Sequence, residues 1–357
     1  MPLSSFAARG APRPAGARRR PDDAPTRLTA FAPAFDNPGA LRMLAFVPPG
    51  LAAEAPLVVV LHGCTQTAAG FDAATGWSTL ATAHGFALLF PEQVGANNAN
   101  GCFNWFEPGD SRRGGGEAAS IAHAVAAAVA CYRLDRARVF VTGLSAGGAM
   151  ANVMLAAYPD VFAGGAIIAG LPVGSATGVG QAMAAMAAPA ALSPTAWGDK
   201  VRRASTFTGP WPTVSVWHGD ADRTVAVANG AAAAAQWADV HGATMRDHGD
   251  ATAGRTRTWH NAAGVVVVEL HAVAGMGHGV PIDRRTGGAP APFMLDVGID
   301  AATGIAAFWG IAPPAATATA TTKAAPAPPA GPTATPGPAK GIAAVIESTL
   351  RAAGLMP

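Results

Sequence analysis

Residues 143–147, Gly-Leu-Ser-Ala-Gly, decide the fold of this chain. They follow an apolar run at 138–142 and precede a helix-compatible stretch at 149–158. A Gly-x-Ser-x-Gly turn between a strand and a helix is strained, and strand and helix pass too close for side chains on the glycines. It exposes the hydroxyl of Ser145 and leaves the Ala146 N–H at a helix start, where it can stabilise an oxyanion. We predict that Ser145 is a nucleophile; the alternative is a Gly-rich structural turn.

Composition divides the 357 residues into four parts. Residues 1–27 are rich in Ala, Pro and Arg and are predicted to be a disordered basic tail without a nucleic-acid partner. Residues 28–311 are predicted to form one catalytic domain. Residues 312–340 have the composition of an Ala/Pro/Thr-rich linker, and 341–357 carry one apolar helical stripe, a candidate to dock on the domain or on a partner.

The same composition bears on localisation and on disulfides. The chain is 50% hydrophobic, but much of this is alanine, and no run of 18 strongly apolar residues predicts a transmembrane helix. No signal-peptide pattern is visible at the N-terminus, which leaves a cytoplasmic location open. Three cysteines do not make a disulfide framework, and Cys131, in an apolar helical run, is predicted to be a small core residue.

Short buried strands alternate with helices along the domain, which predicts a mostly parallel sheet covered on both faces. The long loop at 91–116 is expected to be functional because of its length. Residues 171–212 have no sheet pattern and are predicted to be an insertion over the site. The predicted strands are 41–47, 57–61, 86–90, 138–142, 163–169, 213–217 and 265–270, and the predicted helices are 70–84, 117–132, 149–158, 227–241 and 296–309.

A serine nucleophile needs a histidine to take its proton and an acid to orient that histidine. In the strand–turn–helix context of Ser145 the expected chain order is serine, acid, histidine. Residues 217–225 follow a strand directly and contain Asp220 and Asp222. We favour Asp222 from its spacing in His-Gly-x-x-Asp-x-x-Val; the other aspartate would cap the helix near residue 227 or be solvated.

Nine histidines compete for the role of base. His278, on a Gly-rich loop after the last predicted strand, is favoured, and His271, which ends that strand, is the second candidate. His62 and His218 belong to His-Gly turns and are expected to order loops. The second oxyanion donor, beside the Ala146 N–H, is predicted to be the Cys64 N–H in the loop after an early strand. We expect no organic cofactor, and we find no cluster with metal-ligand spacing.

Taken together, six segments resemble the polyhydroxybutyrate (PHB) depolymerase family of esterases, over about residues 35 to 310. They are 61–66 Leu-His-Gly-Cys-Thr-Gln, 91–93 Pro-Glu-Gln, 101–106 Gly-Cys-Phe-Asn-Trp-Phe, 143–150 Gly-Leu-Ser-Ala-Gly-Gly-Ala-Met, 217–225 Trp-His-Gly-Asp-Ala-Asp-Arg-Thr-Val and 275–278 Gly-Met-Gly-His. The resemblance implies an α/β-hydrolase fold, a Ser145–Asp222–His278 triad acting on carboxylic esters through an acyl-enzyme, and an enzyme that is often secreted.

The same motifs motivate further hypotheses about the site. Cys64 and Cys102 lie in two segments that both border it, and we hypothesise a disulfide between them. Asn104, Trp105 and Phe106 are predicted to bind substrate. Core packing is an equal alternative for the aromatic residues of this loop, Phe103, Trp105 and Phe106.

The natural ester is left open by the sequence. Polyhydroxyalkanoate polymer or oligomers are favoured by the resemblance, and feruloyl- or acetylxylan-type esters are the alternative within the family. Secreted polymer depolymerases carry a signal peptide and a polymer-binding domain after the linker, and this sequence has neither pattern. Two further hypotheses keep the same fold: a prolyl-oligopeptidase-like peptidase and a non-catalytic binding protein.

Overall fold

The computed structural model describes residues 26–251 and 254–314. The basic tail, the linker and the C-terminal helix predicted from the sequence lie almost entirely outside these residues and stay predictions. Within the described part, ten strands form one sheet with the order β1-β2-β4-β3-β5-β6-β7-β10-β9-β8, and two more form a small second sheet. The strands are β1 Thr29–Ala30, β2 Arg42–Phe46, β3 Leu57–Leu61, β4 Ala87–Glu92, β5 Val139–Leu144, β6 Gly164–Ile168, β7 Thr213–Gly219, β8 Thr244–Ala251, β9 Gly254–His260, β10 Val266–Val273, β11 Val280–Ile282 and β12 Met294–Asp296.

The six central strands β4, β3, β5, β6, β7 and β10 are parallel, and β1, β2, β9 and β8 extend the two edges in antiparallel pairing. Because parallel strands are joined by crossovers, the connections run through helices on the faces of the sheet. The helices are α1 Ala68–Thr75, α2 Trp77–His84, α3 Pro108–Ser111, α4 Gly116–Tyr132, α5 Ala146–Ala157, α6 Val179–Ala187, α7 Pro194–Arg202, α8 Ala228–Val240 and α9 Ala301–Phe308.

Strand β3 shows how the sheet is buried on both sides. All five of its residues are fully buried. Leu57, Val59 and Leu61 face the cluster that includes α4, α5 and α8, whereas Val58 and Val60 face the cluster that includes α1, α2 and α9. A strand covered on both faces has a continuous apolar sequence rather than an alternating one. The structure is therefore the mostly parallel, doubly covered sheet that the sequence predicted.

Several predicted elements need correction. The helix predicted at 70–84 is two helices, because Gly76 adopts φ 75° and ends α1. The strand predicted at 265–270 continues to Val273 as β10, and the helix predicted at 296–309 begins only at Ala301. The hairpin of β8 and β9 was not predicted, because its polar, charged sequence lacks the apolar run of a central strand.

One buried-core prediction is wrong. Cys131 is exposed, because it lies on the outer face of α4 near the last turn of that helix. Among the described residues, no helix is long and apolar enough to cross a membrane.

Candidate active site

The turn at Ser145 has the strained geometry expected of an exposed nucleophile. Ser145 has φ 57° and ψ −115°, between the end of β5 and the start of α5. A Cβ added at Gly147 would lie 2.5 Å from the carbonyl oxygens of Leu61 and His62. The Ser145 N–H donates to the Ile168 carbonyl at 2.9 Å. Packing of β3, β5 and α5 thus enforces a backbone conformation that costs about 1–3 kcal/mol in a non-glycine residue.

The acid loop follows β7, two strands along the sheet. Asp222 is buried, and its Oδ1 accepts the backbone N–H groups of Thr224 and Val225 at 2.8 and 2.9 Å. Its Oδ2 lies 2.7 Å from Nδ1 of His278 and 3.3 Å from Nε2 of His218. Burial alone would raise the pKa of Asp222, but the hydrogen bonds from His218 and His278 outweigh it, and the pKa falls below its usual range. Asp222 is therefore a carboxylate throughout the neutral range.

The histidine loop follows β10 and lies directly against the acid loop. The Ala221 N–H donates to the Met276 carbonyl at 3.0 Å, and the Gly275 N–H donates to Oδ1 of Asp220 at 2.7 Å. A Cβ on Gly219 would collide with the Met276 carbonyl oxygen, so only glycine permits this approach. Asp220 thus tethers the histidine loop, a role that the sequence did not predict.

The turn after β3 presents backbone donors on the other side of Ser145. His62 is buried; its Nδ1 lies 2.8 Å from the Gly63 carbonyl, and its Nε2 accepts the Gln93 N–H at 3.1 Å. Burial lowers the pKa of His62, which fits a neutral ring that donates from Nδ1 and accepts at Nε2. Within the described residues, the N–H of Cys64 donates no hydrogen bond. The Ala146 N–H is the first of α5 and has no partner within that helix.

Gln66 links this turn to the segment that packs on His278. Its Oε1 accepts the Gly63 N–H at 2.8 Å, and its Nε2 donates to the Pro292 carbonyl at 3.1 Å. The next residue, Phe293, packs its ring edge-on against His278, with centroids 6.0 Å apart. One amide therefore braces both the predicted oxyanion turn and the surroundings of the histidine.

A pocket of about 430 Å³ opens at Ser145 and Ala146. The disulfide between Cys64 and Cys102 borders it, with Cα atoms 4.2 Å apart. One wall is polar and consists of Asn97, Asn98, Asn100, Asn104 and Glu107. The other wall is apolar and consists of Leu171, Val179, Ala182, Met183, Met186 and Val225. Helix α6 supplies four of these apolar residues, so part of the segment predicted as an insertion does cover the pocket.

The predicted substrate residues divide between pocket and core. Trp105 and Phe106 line the pocket, with their rings edge to face at 5.4 Å. Phe103 is fully buried, with its ring 5.0 Å from that of His62. Asn104 lines the pocket, but its Oδ1 accepts from Asn98 at 3.0 Å and its Nδ2 donates to an aspartate at 3.2 Å. Its amide thus holds the loop together.

The second candidate base, His271, lies on β10, where it is partly buried and contacted by its neighbours in the sheet. Its ring stacks on Trp217 at 3.9 Å, and its Nδ1 lies 3.2 Å from Oγ1 of Thr256. Its Nε2 lies 3.1 Å from a carboxylate oxygen of Glu269, on the same strand. Among the histidines of the described residues, His278 is thus the one paired with Asp222 at 2.7 Å.

Glu117, on α4, accepts hydrogen bonds from the loop that forms the polar wall. No pattern in the sequence identifies it as a site residue. It is buried; its Oε2 accepts the Asn104 N–H at 2.8 Å, and its Oε1 accepts Nε2 of Gln93 at 2.5 Å. Burial raises the pKa of Glu117 to about 7, hydrogen bonds from Asn104 and Gln93 oppose the rise, and the nearby charge of Asp110 adds to it.

This raised pKa predicts a pH-dependent stability. The folded state holds the Glu117 proton up to about pH 7, whereas the unfolded chain releases it near 4.5, so the carboxyl destabilises the fold as pH rises between these values. We expect Glu117→Gln to reduce the loss of unfolding free energy between about pH 5 and pH 7.5 by about 2 kcal/mol. Urea unfolding at both pH values measures this. Glu107→Gln, at a partly exposed position of the loop that Glu117 contacts, should behave like wild type, and an unchanged slope in Glu117→Gln would contradict the prediction.

A solved structure with this architecture defines the class of the protein. The acetyl xylan esterase from Aspergillus awamori is 27% identical and superposes with a TM-score of 0.64, covering 72% of this chain and 96% of that one. Together with the sheet order and the serine turn, this similarity makes the chain an α/β-hydrolase.

Sequence comparison then identifies the family. The family model described as esterase PHB depolymerase matches residues 41–262, and the chain belongs to this family. Poly(3-hydroxyalkanoate) depolymerase C of Paucimonas lemoignei is 46% identical over 282 residues, 77% of this chain and 68% of the relative. Feruloyl esterase B of Talaromyces stipitatus is 30% identical over 72% of this chain and 73% of its own length. An acetylxylan esterase of Coprinopsis cinerea is 32% identical, with coverages of 72% and 69%.

Proposed function

We propose that the chain is a serine esterase in which Ser145 is the nucleophile, His278 the base and Asp222 the residue that orients the base. The 2.7 Å contact between His278 Nδ1 and Asp222 Oδ2 carries this proposal. A carboxylate on Nδ1 holds the proton there and leaves the lone pair on Nε2 for the serine hydroxyl. Ser145 and the loops after β7 and β10 all follow the carboxyl ends of parallel strands, so they lie at the same edge of the sheet. This placement supports the assignment.

The reaction follows from these roles. Ser145 Oγ attacks the ester carbonyl while Nε2 of His278 takes its proton, and Asp222 stabilises the resulting imidazolium. The N–H groups of Cys64 and Ala146 bind the oxygen that becomes negative. His278 then gives the proton to the leaving alcohol, and an acyl group stays on Ser145 until water, activated by the same histidine, releases it as an acid.

We propose hydroxyalkanoate esters, as polymer or oligomers, as the substrate class. The 46% identity to a relative named as a poly(3-hydroxyalkanoate) depolymerase supports this class. So does the pocket: about 430 Å³ exceeds what an acetyl group needs, and its lining includes an apolar wall. Short alkyl branches fit this apolar wall. The feruloyl and acetylxylan esterases among the relatives make aromatic and acetyl esters the second candidate.

A panel of substrates at equal concentration tests this proposal. We expect hydroxybutyrate dimers and trimers to be hydrolysed with kcat/KM at least about tenfold higher than methyl ferulate or acetylated xylan. The Ser145→Ala protein supplies the blank for each substrate. Higher kcat/KM for either of the other esters would reassign the substrate, turnover of a dipeptidyl anilide would favour a peptidase, and no labelling by a fluorophosphonate would favour a binding protein.

We also propose that the protein works in an oxidising compartment, outside the cytoplasm. The disulfide between Cys64 and Cys102 supports this location, because such bonds are rare where thiols are kept reduced.

A further inference from the structure

His218 makes contacts that the proposed reaction does not use. It lies on β7, four residues before Asp222, and its side chain is fully buried. Its Nε2 lies 2.9 Å from the Val225 carbonyl and 3.3 Å from Asp222 Oδ2. The carboxylate oxygen that faces His278 is thus contacted by a second imidazole.

Hydrogen-bond accounting determines which nitrogen of His218 carries the proton. A carbonyl oxygen only accepts, so the contact with Val225 requires the proton on Nε2. This N–H lies 2.9 Å from the Val225 carbonyl oxygen, and Asp222 Oδ2 lies farther from the same nitrogen, at 3.3 Å. On the opposite side of the ring, Nδ1 is buried without a hydrogen-bond partner among the described residues. Helix α8 passes so close that a Cβ on Gly230 would lie 2.8 Å from Nδ1.

An unpaired buried nitrogen costs free energy, and native structures rarely keep one without a reason. Four elements surround the ring. The acid loop lies on its Nε2 side, α8 lies on its Nδ1 side, and strands β9 and β10 lie across a cavity of about 140 Å³. The charged and titratable groups that face the ring are Asp222 at Nε2, with His278 beyond it, and Arg255 and Arg257 across the cavity.

We propose that His218 is a positioning residue for ester hydrolysis, whose Nε2–H fixes the Asp222 carboxylate in the orientation that receives the His278 Nδ1–H. This inference rests on the proposed triad. With His218 in place, both oxygens of Asp222 are contacted: Oδ1 accepts two backbone N–H groups, and Oδ2 lies 2.7 Å from His278 Nδ1 and 3.3 Å from His218 Nε2. The carboxylate therefore cannot rotate away from His278.

Loss of the Nε2–H has two consequences for catalysis. The carboxylate gains freedom to rotate, so fewer molecules hold His278 in the reactive orientation and kcat falls. Its negative charge also loses one hydrogen-bond donor and interacts more strongly with protonated His278. Enzyme with protonated His278, which is inactive, then persists to higher pH. The acid limb of the profile of kcat/KM against pH is therefore displaced to higher pH.

Two variants separate positioning from simple packing. His218→Leu fills the site without a donor, and we expect about a tenfold loss of kcat, KM within about twofold of wild type, and an acid limb displaced to higher pH. His218→Gln can place an amide N–H where Nε2 lies, and it should recover most of the loss and restore the wild-type limb. Equal losses in both variants, or an unmoved limb in His218→Leu, would overturn the proposal.

A measurement on the wild-type protein needs neither variant to fold. Nitrogen NMR of protein labelled with ¹⁵N-histidine distinguishes the two tautomers, and His218 should carry its proton on Nε2 across the pH range of activity. A proton on Nδ1 would overturn the positioning role. The NMR measurement does not depend on turnover, so it tests the positioning role of His218 alone. Failure of the proposed triad would be detected separately, as retained activity in the Ser145→Ala enzyme.

Discussion

A Ser145→Ala enzyme is expected to hydrolyse short p-nitrophenyl esters with kcat at least about 10⁴-fold below wild type. In the proposed mechanism Ser145 Oγ forms the bond to the acyl group, and alanine offers no atom in its place. The oxyanion donors and the pocket stay intact, so residual turnover should reflect binding and carbonyl polarisation alone. Steady-state kinetics over a range of ester concentrations measures the loss.

Stability measurements show whether that loss is chemical. Alanine and serine are equally strained at φ 57°, so Ser145→Ala should unfold at the wild-type temperature. Ser145→Gly relieves the strain, and we expect it to be inactive yet more stable than wild type by about 1 kcal/mol. Retained turnover in the alanine enzyme would refute Ser145 as nucleophile, and a glycine variant less stable than wild type would refute the strain.

The second large effect is expected at Asp222. We predict that Asp222→Asn lowers kcat by about 10⁴-fold while the protein stays folded. Thr224 and Val225 donate N–H groups to Oδ1, which keeps the amide oxygen of asparagine at that position. Its NH₂ group then replaces Oδ2 and donates to His278 Nδ1. This selects the tautomer with its proton on Nε2, which cannot accept a proton from Ser145.

The NH₂ group meets a second obstacle, because it also faces the Nε2–H of His218 across the 3.3 Å contact. Two donors oppose each other there, which adds a loss of stability to the loss of rate. The matched control is Asp220→Asn, which retains an oxygen for the Gly275 N–H and should change kcat less than about threefold. A larger loss at Asp220 than at Asp222 would exchange their roles.

The proposed catalytic residues could be selected from the sequence because each lies in a short local pattern. Ser145 sits between two glycines after an apolar run, and Asp222 and His278 follow buried strands at spacings readable along the chain. Such patterns reflect backbone requirements within a few residues: a positive φ, a close approach, a strand end. Gly219 also meets a local backbone requirement, the close approach of the histidine loop. That requirement is visible only in the structure, where a Cβ on Gly219 would collide with the backbone of this loop.

The supporting residues could not be found in this way. Gln66 pairs with Pro292, which is 226 residues away, and Glu117 pairs with a loop that begins before its helix. The edge hairpin of β8 and β9 was missed because an edge strand has a solvent-facing side and lacks the apolar run of a buried one. Cys131 was misplaced because a helix that is apolar on most faces does not reveal which face is buried.

The sequence by itself thus determined the α/β architecture, the serine turn and the candidate acid and base, since all of these depend on residues that are neighbours along the chain. Only the tertiary structure decided that His278 rather than His271 pairs with Asp222, that Phe103 is core whereas Trp105 lines the pocket, and that His218 shares the carboxylate. The physical reason is that hydrogen bonds and pockets join side chains from separate strands. Their distances are set by sheet order and register, and these emerge only when the chain is packed.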